Sequence, residues 1–130
     1  DKLDIKPGRH IKVAKSGKKF ILAFPGFPYS SMVAFHLSAR EILNAWLCQK
    51  KDYVIKAFLK GSYAKKSPYL EFVACNVEFE NGKVCVNLAG KKKGSSAIIS
   101  NLNYKSALMI VPKERANIAE NELVDIMLLS

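Results

Sequence analysis

The alternation of apolar and polar residues predicts a β-hairpin near the start of the chain. The segment from Ile11 to Phe24 is rich in β-branched and aromatic residues, and the turn residues Lys15-Ser16-Gly17-Lys18 interrupt it. Pro25-Gly26-Phe27-Pro28 then ends the second strand, because proline cannot donate a hydrogen bond to a β-ladder. We therefore expect two antiparallel strands followed by a proline–glycine loop.

From Ser30 to about Cys48 the apolar residues follow a helical period instead. They recur every three or four positions, at Val33, Leu37, Ile42, Leu43, Trp46 and Leu47. Ser30 or Ser31 is placed to cap the first turn. We expect this helix to bury Val33, Leu37, Leu43 and Trp46, either against the rest of the chain or by self-association.

Beyond residue 52 the chain alternates short β-rich runs with turns. The candidate strands are Tyr53 to Leu59, Leu70 to Phe79, Val84 to Leu88, Ala107 to Val111 and Leu123 to Leu129. Glu80-Asn81-Gly82-Lys83 predicts a tight hairpin turn, because Asn-Gly suits a type I′ bend. Five or more short strands favour a small barrel or sandwich, and the change of pattern near residue 49 indicates a domain boundary.

The chain is strongly basic. It has 21 Lys and Arg against 11 Asp and Glu, which gives a formal net charge of +10. Such a surface attracts anions such as nucleic acid or phosphorylated metabolites, although a lysine-rich surface also serves solubility alone.

Several signals bear on the compartment. No apolar run approaches the roughly 20 residues that a membrane span requires, and the first residues lack the pattern of a signal peptide. Cys48, Cys75 and Cys85 lie in apolar surroundings without the close pairs of a zinc or redox motif. We expect a cytoplasmic protein that does not bind membranes and has reduced, buried or half-buried thiols.

Three stretches match one known pattern in order and spacing. Ile5-Lys6-Pro7-Gly8-Arg9 resembles a Lys-Pro-Gly-Lys segment, and Phe24 to Ser31 resembles a Leu-Pro-Gly-Asn-Pro-Val-Ser loop before a helix. The third stretch joins Gly94 to Ser100, the apolar run Ala107 to Pro112, and Glu120 to Ile126. On these residues the chain resembles the C-terminal portion of the molybdopterin molybdotransferase family, which includes MoeA and the gephyrin E-domain.

The resemblance implies a mixed fold and a biosynthetic role. Residues 1–48 would be the tail of the family's molybdopterin-binding α/β domain, a hairpin plus a helix, and residues 50–130 its small C-terminal β-barrel domain. The full-length protein, a homodimer, would act in molybdenum cofactor biosynthesis by inserting molybdate into adenylated molybdopterin with release of AMP. The chain alone is expected to be inactive.

An enzyme with these substrates binds a pyrophosphate and a tetrahedral oxyanion, so cations and free backbone amides are the expected tools. The proline–glycine loop offers amides at a helix N-terminus, where the helix dipole favours an anion. The resemblance assigns binding of molybdopterin or molybdate to Pro25, Gly26, Pro28, Ser30 and Ser31. Without the resemblance, the same loop is an ordinary strand-to-helix turn.

Two further groups complete the expected site. Lys6 and Arg9 flank Pro7-Gly8, so both charges could reach one phosphate or molybdate group, and arginine can bind two oxygens at once. The alternative is two solvated charges beside a turn. The resemblance also places Ser95, Ser96 and Ser100, which follow the lysines at 91 to 93, on the barrel side of the active-site cleft.

Two departures from the family pattern bear on activity. Phe27 stands where the family often has asparagine, and Ala74 stands where it usually has an arginine early in the barrel. A lost arginine would weaken oxyanion binding unless Lys65, Lys66 or one of the lysines at 91 to 93 substitutes for it.

The chain shows no cluster of His, Cys and carboxylates that suggests a bound metal. The resemblance implies Mg²⁺ dependence, with the ligands outside this chain. His36 lies among apolar helix residues, so we expect it, like His10, to be packed or hydrogen-bonded rather than catalytic.

Two other functions compete with this interpretation. A basic β-barrel could bind single-stranded nucleic acid on aromatic platforms such as Tyr53, Tyr63 and Tyr69. The chain could also be a scaffold or interaction domain, since the family includes a member with receptor-clustering duties, but nothing in the sequence marks a peptide-binding groove.

Overall fold

The computed structural model of the chain describes residues 2–92 and 106–129. The strands, in chain order, are β1 (Ile5–Lys6), β2 (Lys12–Ser16), β3 (Lys19–Ala23), β4 (Val54–Leu59), β5 (Tyr63–Ala64), β6 (Leu70–Glu80), β7 (Lys83–Asn87), β8 (Ser106–Val111), β9 (Asn117–Ile118) and β10 (Leu123–Leu128). Between β3 and β4 runs one continuous helix, made of α1 (Pro28–Ala34), a π-helical turn (Phe35–Ala39) and α2 (Arg40–Trp46).

Five strands close into a small β-barrel. Their order is β6, β7, β4, β10 and β8, and β8 pairs again with β6. All of these pairs are antiparallel except β4 with β7. Side chains that point inward fill the barrel and are fully buried, among them Leu59, Cys75, Val86, Met109 and Ile126. The expected small barrel is confirmed.

Local sequence signals account for most of the elements. All five expected barrel strands are present with ends shifted by at most one residue, because alternating apolar residues cover the inner face. Asn81 and Gly82 have φ of +50° and +74°, the left-handed pair that a type I′ turn requires. The expected hairpin is β2–β3, with Ser16 opposite Lys19 across the turn.

The helix begins two residues earlier than expected, at Pro28, and the expected serine cap is wrong. Phe27 is the N-cap residue and makes no side-chain cap hydrogen bond. Proline suits the first helical position because its missing N–H needs no partner there. Ser30 consequently lies inside the first turn, where it is buried, and the Ser31 amide donates to the Phe27 carbonyl at 2.9 Å.

One face of the helix packs on the outside of the barrel. Tyr29 and Val33 are buried in a second apolar cluster with barrel residues such as Phe72, and the half-buried Leu37 packs on the same cluster. Leu43 and Trp46 are 44% and 61% exposed, so of the four expected helix residues Val33 and Leu37 pack on the barrel and these two do not. Self-association through them stays a prediction.

The cysteines are free thiols in two environments. Cys75 and Cys85 are buried as expected, whereas Cys48 is exposed. The expectation was wrong for Cys48 because its apolar neighbours belong to the solvent-facing end of the helix. In the described part of the chain, no helix is long and apolar enough to cross a membrane.

Candidate anion-binding cleft

A cleft of about 530 Å³ lies between the turn after β1 and the barrel. Basic side chains from segments that are far apart in sequence line it. They are Lys6, Arg9, Lys66, Lys91 and Lys92. Aromatic and aliphatic residues such as Tyr29, Phe72 and Val73 form much of the remaining lining. A partly apolar cavity with several cations favours an anion attached to a flat or apolar body.

The turn at one side of the cleft depends on a glycine. β1 pairs in parallel with the start of β6, with Lys6 opposite Glu71. Gly8 then adopts a φ of +106°, and a Cβ there would lie 3.4 Å from Cδ1 of Ile5 and 3.8 Å from Cγ1 of Val33. Glycine adopts this φ without backbone strain, whereas the Cβ itself would make only ordinary contacts, so Gly8 sets the positions of Lys6 and Arg9 through its backbone conformation.

The Arg9 guanidinium group is held by an aromatic ring. Its Nη1 donates to the hydroxyl oxygen of Tyr69 at 2.9 Å, and its Nε donates to the Leu3 carbonyl at 3.3 Å. The guanidinium carbon lies 4.2 Å from the centroid of the Tyr69 ring. Arginine has five N–H donors, so three of them have no partner among the described residues and are available to an oxyanion.

The cleft also contains one buried carboxylate, that of Glu71. It is 4% exposed and accepts hydrogen bonds from Ser67 Oγ at 2.6 Å and from the Tyr63 hydroxyl at 2.5 Å. Burial and this bond to Glu71 raise the pKa of Tyr63 above its ordinary value, so Tyr63 remains a donor. No lysine or arginine in residues 2–92 and 106–129 forms an ion pair with Glu71, and its side-chain partners among these residues are the hydroxyl groups of Tyr63 and Ser67.

Lys91 is a partly desolvated cation. Its Nζ donates to Ser106 Oγ at 2.6 Å, and burial lowers the pKa of Lys91 from its ordinary value. A charge that has lost part of its hydration gains more from a nearby anion than a fully hydrated one does. Lys91 therefore makes its side of the cleft favourable for an anion.

The structure brings together some of the sequence-predicted site residues. Lys6, Arg9 and Ser30 line the cleft, whereas the lining does not include Pro25, Gly26, Pro28 or Ser31. Ser95, Ser96 and Ser100 lie outside the described residues. The roles assigned to all of these residues stay predictions.

Ala74, the expected position of a family arginine, also lines the cleft. Of the lysines considered as substitutes, Lys66, Lys91 and Lys92 line it as well, and Lys93 lies outside the described residues. Lys65 instead donates to the backbone carbonyls of Pro112 and Lys113, at 2.7 and 2.8 Å. Ala74 and these three lysines therefore line the same cleft.

Sequence reasoning assigned no site role to Tyr29 or Glu71, and it considered Tyr63 only as a platform for nucleic-acid bases, although all three line the cleft. One signal was available, because Glu71 is a charged residue in an otherwise apolar strand run. The two histidines differ. His10 is exposed and lines the cleft, whereas His36 is buried on the helix, where burial and then Arg40 lower its pKa to about 4.

The cleft does not fit a metal site among the residues described. Glu71 is the sole carboxylate in the lining, and no group of three or more His, Cys, Asp or Glu in residues 2–92 and 106–129 is arranged to hold a metal ion. A catalytic metal at this cleft would therefore need ligands from outside the described residues.

The tyrosines proposed as nucleic-acid platforms are not exposed. Tyr63 is buried, while Tyr53 and Tyr69 are half-buried and each has an arginine over its ring. Stacking of successive bases needs open aromatic faces along a basic groove. The structure therefore does not favour the nucleic-acid interpretation.

Together, the fold and the cleft define a small closed β-barrel domain with a basic pocket beside it. Residues 56–129 match the family model described as the MoeA C-terminal region (domain IV). The match covers more than half of the chain, and the chain belongs to this family.

Similar proteins carry names from molybdenum cofactor biosynthesis. The molybdopterin molybdenumtransferase of Bacillus subtilis (strain 168) is 25% identical over 131 residues, which cover 99% of this chain and 30% of that protein. The molybdopterin biosynthesis MoeA protein from Pyrococcus horikoshii OT3 superposes with a TM-score of 0.70 at 28% identity, over 96% of this chain and 30% of that one.

A molybdenum cofactor biosynthesis protein from Pyrococcus furiosus superposes with a TM-score of 0.67 at 28% identity, over 96% of this chain and 43% of its own. The chain thus spans between 30% and 43% of the length of these relatives.

Proposed function

We propose that the chain forms part of a molybdenum cofactor biosynthesis enzyme and that its cleft binds the anionic groups of adenylated molybdopterin and molybdate. The observation that carries this proposal is the collection of five basic side chains around one cleft, in a chain that belongs to the MoeA domain IV family. The names of the relatives support the substrate class.

The proposed reaction inserts molybdate into adenylated molybdopterin and releases AMP. Negative charge on the leaving phosphate grows as the bond to it breaks, so fixed cations around the phosphate lower the barrier. In this proposal Lys6 and Arg9 approach the anion from the turn, and Lys66 and Lys91 approach it from the barrel. Glu71 repels anions, so the phosphate lies toward the lysines.

We further propose how the chain relates to the complete enzyme. Residues 1–48 correspond to the tail of the molybdopterin-binding α/β domain, and residues 50–130 to the barrel domain. Ligands for Mg²⁺ lie outside this chain, and the full-length protein is a cytoplasmic homodimer. The chain alone is inactive, because residues that act as a unit lose their effect together when part of the unit is missing.

Anion binding is the direct test. The chain is titrated with sodium molybdate, orthophosphate and AMP by calorimetry at several salt concentrations. We expect binding that weakens with salt, and Lys66→Ala should weaken it further. Lys18→Ala, in the β2–β3 turn outside the cleft, is the matched control because it removes the same unit of charge. Equal losses in both variants would show only a general charge effect.

Activity requires the missing domains. A chimaera in which this chain replaces the matching segment of the Bacillus subtilis relative supplies them. We expect this chimaera, given Mg²⁺, molybdate and adenylated molybdopterin, to release AMP, and the isolated chain to release none. Comparable turnover by the isolated chain would contradict the proposed division of the active site.

A further inference from the structure

The cleft contains an arginine, Arg9, whose guanidinium group contacts both the hydroxyl group and the ring of Tyr69. We propose that Tyr69 is a positioning residue that holds the Arg9 guanidinium group in place for an oxyanion. This inference rests on the anion-binding function proposed above and adds a residue that acts through Arg9 rather than by touching the ligand.

Two kinds of contact define the pair. The Tyr69 hydroxyl oxygen accepts a hydrogen bond from Arg9 Nη1, and the ring lies under the guanidinium carbon at 4.2 Å from its centroid. The ring face restricts the plane of the guanidinium group, and the hydrogen bond restricts its rotation within that plane. When both the tilt of the guanidinium plane and its rotation are restricted, the remaining N–H donors of Arg9 keep a fixed direction.

The segment that carries Tyr69 is itself anchored. Its backbone amide donates to Ser67 Oγ at 3.4 Å, and Ser67 donates in turn to the buried Glu71 at 2.6 Å. Glu71 lies opposite Lys6 in the β1–β6 ladder. The loop before β6 and the turn after β1 are therefore joined at two points, through the ladder and through the Arg9–Tyr69 pair.

This arrangement lowers the cost of binding. An unrestrained arginine side chain loses conformational entropy when it binds an anion, whereas the Arg9 side chain is already restricted before the ligand binds. Loss of Tyr69 should leave the charge of the cleft unchanged and still weaken anion binding. Weaker binding at unchanged charge would show that the orientation of Arg9, and not only the charge of the cleft, contributes to affinity.

A double-mutant cycle tests the inference in the chain, with sodium molybdate and orthophosphate as probes. Tyr69→Phe keeps the ring and removes the hydroxyl, Tyr69→Leu removes both contacts, and Arg9→Ala removes the partner. We expect affinity to fall roughly threefold in Tyr69→Phe and roughly tenfold in Tyr69→Leu. In the Arg9→Ala background, Tyr69→Leu should have no further effect.

The Arg40–Tyr53 pair supplies the matched control. It has the same chemistry, with the guanidinium carbon 3.6 Å from the ring centroid, but neither residue lines the cleft. Tyr53→Leu should leave anion affinity unchanged. The Nε–H signal of Arg9 in NMR spectra gives a second readout, because it should broaden in Tyr69→Phe even though this conservative variant retains the fold.

The outcomes separate this inference from the proposed function. If Tyr69→Leu weakens binding equally with and without Arg9, or if neither Tyr69 variant changes it while Lys66→Ala does, the positioning role is refuted and the anion site stands. If Arg9→Ala and Lys66→Ala both leave molybdate affinity unchanged, the proposed function fails and the inference fails with it.

Discussion

The guanidinium carbon of Arg40 lies 3.6 Å from the centroid of the Tyr53 ring, which fixes the helix to the segment that precedes β4. Arg40 is 8% exposed, and its Nη1 also donates to the Leu128 carbonyl at 2.8 Å. We expect Arg40→Ala to lower the free energy of unfolding by about 2 kcal/mol, because the variant loses the contact with the Tyr53 ring and the hydrogen bond to Leu128 at a buried position. Urea denaturation measures this. Glu41→Ala removes only the exposed carboxylate that lies 3.9 Å from Arg40 Nε, and a loss in Arg40→Ala no larger than in this variant would contradict the prediction.

His36 should make stability depend on pH. Burial and Arg40 lower its pKa from 6.5 to about 4 in the folded protein, and its Nδ1 has no hydrogen-bond partner among the described residues. The unfolded chain therefore takes up the proton first, so the stabilising contribution is complete above pH 6.5 and is lost as the pH falls toward 4. Between neutral pH and pH 5 the loss should be about 2 kcal/mol. His36→Leu should remove this part of the pH dependence in urea denaturation, and an unchanged dependence would refute the assignment.

Gly8→Ala and Gly61→Ala should destabilise the protein by similar amounts. Both glycines have left-handed backbones, with φ of +106° and +87°. A Cβ at Gly8 would make an ordinary van der Waals contact with Cδ1 of Ile5 at 3.4 Å, and nothing lies near one at Gly61. Each change should therefore cost about 1 to 2 kcal/mol, from backbone strain alone. Thermal unfolding of both variants gives the comparison, and a much larger loss at Gly8 would show that its surroundings do not accommodate a methyl group.

Trp46 should report on the contact between hairpin and helix. It is the single tryptophan of the chain, is 61% exposed, and has its ring centroid 6.1 Å from that of Phe20. We expect acrylamide to quench the fluorescence of Trp46. Phe20→Ala should increase the quenching, because it removes the Phe20 ring that lies against the indole. Phe79→Ala, which removes an exposed phenylalanine from the barrel, is the control and should change nothing. Full protection of Trp46 that disappears on dilution would instead reveal self-association.

Lys6 and Arg9 should contribute together to anion affinity. The double change Lys6→Ala and Arg9→Ala should weaken molybdate binding to the chain by a few kcal/mol at most, since each charged hydrogen bond contributes roughly 1.5 to 3 kcal/mol. Calorimetry with the wild-type chain alongside gives the difference. Unchanged affinity would exclude both residues from the site.

The sequence predicts the barrel well because its strands are long enough to show alternation. β4, β6 and β10 each present at least three alternating apolar residues to the core, and such a pattern is visible without any partner strand. The strands β1, β5 and β9 have two residues each, too few for any period. They exist because a distant segment offers hydrogen bonds, as β6 does for β1.

The cleft could be predicted only in part for the same reason. Lys6 and Arg9 lie close together in sequence, on either side of Pro7-Gly8, so the sequence alone was enough to predict that they belong to one site. The Arg9–Tyr69 and Tyr63–Glu71 pairs, in contrast, depend on the closure of the barrel and on how β1 pairs with it. The π-helical turn at Phe35–Ala39 likewise has no counterpart in the apolar periodicity.

The place of β10 in the barrel has a consequence for synthesis. β10 is hydrogen-bonded to β4 on one side and to β8 on the other. It is therefore the last strand along the chain that the barrel needs in order to close. Until β10 has left the ribosome and paired, β4 and β8 each have an unpaired edge that can pair with another nascent chain. A chain that lacks β10 keeps both edges open, so we expect it to aggregate instead of forming a slightly smaller barrel.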